Sequence, residues 1–289
     1  MSSLPADAEL KDVSGPGALS GGWRRLWELT LLLSTTEFKR TYFGTALGYL
    51  WSVGRPLLMF AVLVEVFQHI FHLGAQIQHY PVFLLMNIVL FGFFQEATSL
   101  AVPSIVSQEG IVRKTQFPRL AIPLAVVMTA MFNLLLNMVV VFVFILAFGV
   151  SPTWTWLLLP VVIGLLTIVT LAISMILSSL YPRFRDVGII WGVFATALFY
   201  ATPVLYTVEA ATGRSHTLGR LIVLNPIAPI LELARRWIIS PSAKVAPYPG
   251  TDAAGGPLKL AIAVGLVVVL CALAVWIFRR EAPRIAEEL

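Results

Sequence analysis

"LAIPLAVVMTAMFNLLLNMVVVFVFILAFGVSPTWTWLLLPVVIGLLTIVTLAISMILSSLYP", residues 120–182, contains no Asp, Glu, Lys or Arg. A bilayer core of about 30 Å takes about 20 helical residues to cross. Backbone groups in lipid have to pair within their own segment, so such a run crosses as helix. The run holds two spans, about 122–148 and 154–180, with "GVSP" (149–152) as the turn between them.

The rest of the chain agrees with that reading. Of its 289 residues, 58% are hydrophobic and 12% charged, with a mean hydropathy of +0.87. A soluble domain carries roughly 25% charged residues, so this composition cannot cover a water-facing surface. Four further spans are predicted at about 49–73, 81–101, 187–206 and 260–278. The expected fold is therefore an all-α integral membrane protein with six transmembrane helices. Residues 1–21 are Gly/Ser/Pro-rich, lack an apolar signal core and read as a disordered tail; residues 281–289 form a second tail. The net charge of +5 speaks to topology here and not to nucleic acid. Cys271 is the single cysteine and lies in an apolar run, which excludes an intrachain disulfide or a cysteine-based zinc site.

Most of the 20 Lys and Arg residues fall on one side of the six predicted spans. That side holds Lys11, Arg24, Arg25, Lys39 and Arg40, then Arg113, Lys114 and Arg119, then Arg183 and Arg185, and finally Arg279, Arg280 and Arg284, against Arg214, Arg220, Arg235, Arg236, Lys244 and Lys259 in the last loop of the other side. The two short loops opposite have none. The positive-inside rule makes the basic side, with both termini, cytoplasmic.

Two segments have helical periodicity without the length or polarity of a span. In residues 23–40, Arg24, Arg25, Lys39 and Arg40 gather on one side and Trp23 and Trp27 on the other, the pattern of an amphipathic helix in the membrane interface. "LNPIAPILELARRWIISP" (224–241) begins with Asn225 as a cap and Pro226 at the first helical position. Glu232, Arg235 and Arg236 share its polar face, and it is too short to cross. It is expected to re-enter the outer leaflet, followed by an outer loop at 247–257.

No G-x-x-x-x-G-K-[ST] is present, so this sequence has no P-loop. G-x-S-x-G, H-E-x-x-H and C-x-x-C are also absent. His69 and His72, with His79 nearby, fit interfacial histidines better than a metal face. Glu65 and Glu96 are carboxylates within or beside spans, where burial is costly; each is either a functional group or an interior hydrogen-bonder. Aromatic residues are dense along the first and fifth spans: Phe60, Phe67, Phe71, Trp191, Phe194, Phe199 and Tyr200. Such rings either pack helices and face lipid, or present stacking faces to sugars along a path.

Four blocks, in this order, carry a resemblance: "FKRTYFGTALGYLWSVGRPLL", "VRKTQFPRLAIP", "LYPRFRDVGIIWGVFATALFYATPVLY" and "LNPIAPILELARRWI". The sequence, over residues 22–280, resembles the membrane subunit of type-2 ABC exporters, in the subgroup that exports lipid-linked polysaccharide such as O-antigen and teichoic acid. One departure is Gly54-Arg55 before Pro56, where many members have Asn-Pro. The resemblance implies a bacterial inner-membrane permease that pairs with a second copy of itself and with two copies of a P-loop ATPase. Mg-ATP belongs to that partner, and this chain catalyses no bond cleavage. The substrate implied is a lipid-linked glycan. Residues 103–119 become the region coupled to the ATPase: Pro103 starts a short helix there and Gly110 suits its end. Ser104, Glu109, Arg113, Lys114 and Arg119 are its expected contacts, with Arg183, Arg185 and Asp186 of "YPRFRD" as a second contact. The alternatives are a drug or natural-product efflux permease on the same scaffold and an intramembrane lipid-glycan enzyme. Short, basic loops on the predicted cytoplasmic side argue against the enzyme.

Overall fold

The computed structural model describes residues 22–42, 48, 50–70, 77, 79–110, 117–208, 222, 225–239 and 257–281. The predicted tails, the outer loop at 247–256, and Phe71, His72, Arg113 and Lys114 lie outside them. The described elements are α1 (Gly22–Tyr42), α2 (Leu50–Val64, continuing as a π turn over Glu65–Ile70), α3 (Tyr80–Ala101) and α4 (Ser104–Ser107). They continue with α5 (Ala121–Ala147), α6 (Leu159–Leu180, preceded by a 3-10 turn over Trp154–Leu158) and α7 (Val187–Ala201). The last two are α8 (Ile227–Ala234, continuing as a π turn over Arg235–Ile239) and α9 (Pro257–Glu281).

α3 is the axis of the bundle. It packs on α5, α6, α2 and α7, and most of its residues are buried, from Tyr80 to Ala101. α2 is its opposite: Phe60 is its one buried residue, and Leu50, Leu58 and Val62 stay exposed. α5, at 27 residues, extends about 40 Å at 1.5 Å per residue. Gly149, at φ +77°, ends it; this left-handed conformation lets the chain reverse toward α6.

Among the described residues, five helical segments are long and apolar enough to cross a membrane: Leu50–Gln68, Tyr80–Ala101, Ala121–Ala147, Trp154–Leu180 and Ala261–Glu281. The fifth predicted span, 187–206, needs correction. α7 has 15 residues and stops at Ala201, about 22 Å of helix. Thr202 turns to ψ 145°, because Pro203 disfavours helical geometry in the residue before it. The irregular chain beyond is nevertheless buried, Val204 at 0% exposure. Its carbonyls are met from α3: the Tyr80 hydroxyl donates to Leu205 O at 3.0 Å, and the Asn87 amide donates to Pro203 O and Val204 O at 3.4 Å. Non-helical backbone at membrane depth is stable where protein groups satisfy it in this way.

The non-spanning helix near the other end is present as α8 and its π turn, eight and five residues. The Asn225 carboxamide accepts the Ile227 N–H at 3.0 Å, and its Nδ2 donates to Thr202 Oγ1 at 2.7 Å. Asn225 therefore starts α8 and also ties it to the end of α7. The π turn docks on the 3-10 turn before α6. Thr155 Oγ1 donates to Trp237 O, and Trp156 Nε1 donates to Ile238 O at 3.1 Å.

Candidate functional site

One end of the bundle gathers the cations, and here five elements join in a separate apolar layer. Leu26 of α1, Ile105 of α4, Phe117 and Ala121 at the start of α5, Met175 of α6 and Phe278 of α9 form its buried core. α4 packs on α3, α5 and α6, and Ile105 shares this apolar layer with residues of α1 and α9. Its four residues follow Pro103, a shorter helix than residues 102–110 suggest. Ser104 and Arg119 lie inside this end and not on its surface. Ser104 is 5% exposed, and its hydroxyl donates to Ala101 O at 2.7 Å, capping the end of α3. Arg119 is 1% exposed, and among the described residues none of its three guanidinium nitrogens has a hydrogen-bond partner. Desolvation lowers its pKa from the ordinary arginine value. The sequence suggested that Arg119 meets an outside anion; within this chain it is 1% exposed.

The exposed groups at this end are different ones. Arg183, Arg185 and Asp186 are all exposed, while Glu109 is half-buried. Arg183 lies over the Phe184 ring and Arg185 over Tyr181, at 5.3 and 5.2 Å to the ring centres. Gly188 holds this turn against the bundle: a Cβ there would meet the Tyr181 ring at 3.2 Å and the Val102 side chain at 3.6 Å.

α1 has three faces and not the two that its periodicity suggests. Leu26, Thr30 and Ser34 form a buried stripe at i, i+4 spacing, and Thr129 Oγ1 of α5 donates to Ser34 O at 3.3 Å. Trp23 and Trp27 are exposed, on surface suited to lipid. Arg24, Arg25, Lys39 and Arg40 are exposed as well, and Arg24 pairs with Glu28 at 2.9 Å.

The aromatic residues divide in two. Phe60, Trp191 and Phe199 are buried. Phe60 meets Phe144 edge-on at 5.7 Å and Phe199 meets Phe91 at 5.3 Å. Trp191 Nε1 donates to Thr98 Oγ1 at 3.2 Å. Phe67 is partly buried against the main core. Phe194 and Tyr200 are exposed, at 54% and 60%, and are free to meet something outside this chain.

Between α1, α2, α3 and α5 lies a cavity of about 840 Å³, with Pro103 and Ser107 near one end and Phe199 at its wall. Polar side chains from three spanning helices line it, Arg55 of α2, Gln95 and Glu96 of α3, and Asn133 and Asn137 of α5, and α1 adds Glu37 and Thr41. Asn133 Nδ2 donates to Glu96 Oε1 at 2.5 Å. Glu96 thus sits in a polar cavity with a partner. Glu65 is exposed at the first residue of its π turn. Among the described residues no three His, Cys, Asp or Glu side chains gather as a metal site.

Near the opposite end, Glu232 is 4% exposed and accepts from both Arg235 and Arg236. Both arginines are nearly buried as well, at 12% and 11%.

Residues 28–238 match the ABC-2 type transporter family. The chain belongs to this family of membrane transport subunits. It is 30% identical over 208 residues to the O-antigen export system permease protein RfbA of Klebsiella pneumoniae, covering 71% of this chain and 78% of that relative. It is also 30% identical over 206 residues to the protein of the same name from Myxococcus xanthus, covering 70% and 77%. The polysialic acid transport protein KpsM of Escherichia coli is 22% identical over 248 residues, covering 84% of this chain and 90% of that relative. The matched region of this ABC-2 permease takes in the cavity, the Glu232 cluster and the α4, α5 and α6 part of the basic-end layer, with Leu26 and Phe278 outside it.

Proposed function

We propose that this chain is the permease half of an ATP-driven exporter that moves a lipid-linked polysaccharide, of the O-antigen or related cell-surface class, across the bacterial inner membrane. The observation that carries this reading is the 30% identity to O-antigen export permeases over more than two thirds of both chains. The fold supports it physically. A permease without its own P-loop takes its driving force from a separate ATPase, which binds Mg-ATP. The layer joining α4 to α1, α5, α6 and α9 is the rigid element through which such a force acts. Exposed Arg183, Arg185 and Asp186, together with the region of Arg113 and Lys114, offer the charged contact. Two copies of the chain and two of the ATPase make the working assembly. The apolar faces of α2 and α7 that stay uncovered, Leu58 and Val62 on one and Ile189 and Val193 on the other, supply the seam between copies.

Depletion of the chain in its own cell is expected to leave lipid-linked glycan accumulating on the cytoplasmic side while surface glycan falls. Accumulation of a drug-like amphiphile, with surface glycan unchanged, favours the efflux reading instead.

The basic end faces the cytoplasm in this account, with both termini. Ser151, exposed in the turn between α5 and α6, tests the orientation. In a Cys271→Ser background, Ser151→Cys is expected to react with a membrane-impermeant maleimide added to spheroplasts, and Arg183→Cys only after lysis. The reverse pattern inverts the topology.

A further inference from the structure

The cavity between α1, α2, α3 and α5 holds hydrogen-bonding capacity that the protein itself does not use. Asn137 Nδ2 donates to Ser52 O at 3.2 Å and to Asn133 O at 2.8 Å, which uses both of its N–H groups and leaves Oδ1 as an acceptor. Asn133 engages only one oxygen of Glu96, so the second carboxylate oxygen remains. The Gln95 carboxamide lines the same cavity; its side chain makes no hydrogen bond among the described residues. Arg55 lines it too, close enough to act electrostatically on Glu96, and forms no ion pair or hydrogen bond among the described residues. Polar groups at membrane depth are expensive, and three separate helices bring theirs to this one space.

We propose that this cavity is a binding subsite for the phosphate–sugar junction of a lipid-linked glycan. Arg55 takes the phosphate, and Gln95, Glu96 and Asn137 take hydroxyl groups of the first sugar. The inference rests on the export reading above and adds a location and a division of labour to it. The chemistry separates the two ends of the ligand. A guanidinium offers five donors in a fork that fits phosphate oxygens. A sugar hydroxyl needs acceptors for its proton, and the free carboxylate oxygen and Asn137 Oδ1 are acceptors; the Gln95 carboxamide both donates and accepts. Two carboxylates line the cavity, Glu96 and the exposed Glu37 of α1; both repel a phosphate, so the anion lies against Arg55 and the uncharged sugar on the α3–α5 side. Trp51, half exposed at the cavity wall, adds a ring face for the apolar side of a sugar. Met59, Ile88 and Val89 provide an apolar wall for the beginning of a lipid chain. The volume lies within the range of small-ligand pockets. A phospholipid headgroup satisfies Arg55 equally well but leaves the α3 and α5 acceptors unused.

The test uses the permease–ATPase complex in nanodiscs and two radiolabelled probes, geranyl diphosphate and geranyl diphosphate carrying one hexose. Arg55→Gln is expected to weaken both probes by about tenfold, the range of a hydrogen bond to a charged group. Arg55→Lys, which keeps the charge, recovers part of that loss, as a general folding defect does not. Gln95→Leu is expected to weaken the hexose-bearing probe by about fivefold, one neutral hydrogen bond, and to leave the sugar-free probe unaffected. Equal effects of Gln95→Leu on both probes, or no effect of Arg55→Gln on either, overturn the subsite. So does full displacement of the hexose-bearing probe by phosphatidylglycerol, which makes the cavity a phospholipid site. A wild-type complex that exports glycan but binds neither probe also refutes the subsite while the export reading stands. Absence of glycan accumulation on depletion refutes the export reading itself.

Discussion

Glu232→Ala is expected to leave little folded protein. Glu232 is 4% exposed, and its carboxylate accepts from Arg235 and from Arg236 Nε at 2.8 Å, inside the short helix that closes the end opposite the basic layer. Truncation removes a carboxylate that two nearly buried guanidinium groups share. Breaking a buried ion pair from one side costs up to about 3–5 kcal/mol. The consequence reaches beyond α8. Its π turn docks on the turn before α6 through Thr155 and Trp156, and Asn225 ties its start to Thr202. Thermal aggregation of the detergent-solubilised protein measures the loss. Glu232→Gln keeps an acceptor and is expected to fall between wild type and Ala. If Glu232→Ala melts with wild type, the cluster does not hold this end together.

Phe199→Ala is expected to behave very differently from Tyr200→Leu, although the residues are neighbours. Phe199 is 6% exposed and packs edge-on to Phe91 of α3, whereas Tyr200 is 60% exposed. Removing a buried ring costs about 3–5 kcal/mol in lost burial and cavity formation. Phe199→Ala should therefore lower the amount of protein in the membrane, and export should fall in proportion. Tyr200→Leu keeps apolar bulk at an exposed site and should leave protein levels unchanged. If Tyr200 meets the moving glycan, its export falls per molecule of protein. Quantitative immunoblotting of membranes beside surface-glycan staining separates the two. Equal protein levels for Phe199→Ala and wild type contradict the packing role of Phe199.

The long helices were legible because lipid imposes a simple rule: a charge-free run of sufficient length is a helix. α3, α5 and α6 accordingly lie within a residue or so of their expected limits once the 3-10 turn before α6 is counted. The break after Ala201 was harder to see, since "ATPVLY" continues the apolar run. Thr202-Pro203 is a local stop signal, but the groups that satisfy the freed carbonyls, Tyr80 and Asn87, lie more than a hundred residues away. No local pattern connects them. α1 shows the same limit. Its charged face was readable, but the stripe that docks it, Leu26, Thr30 and Ser34, is distinguished by small polar side chains more than by hydrophobicity. In the cavity, Glu96 stood out by its charge, whereas Gln95, Asn133 and Asn137 did not, being neutral. Two asparagines at i and i+4 in an otherwise apolar helix place both on one face, which was the available signal. Arg119 was picked out as a cation of the basic loop. Its burial follows from the meeting of α1, α4, α5, α6 and α9 around Phe117 and Ala121, which only the fold reveals.

Reconstitution tests the central claim most directly. The chain is placed in proteoliposomes with and without its ATPase, together with lipid-linked glycan from its own cell, and the glycan reaching the protected side is quantified after ATP is added outside. The account predicts ATP-dependent transfer only when both proteins are present, and no ATP hydrolysis by this chain alone. Transfer by this chain without the ATPase, or an active complex that leaves the glycan where it began, would contradict it.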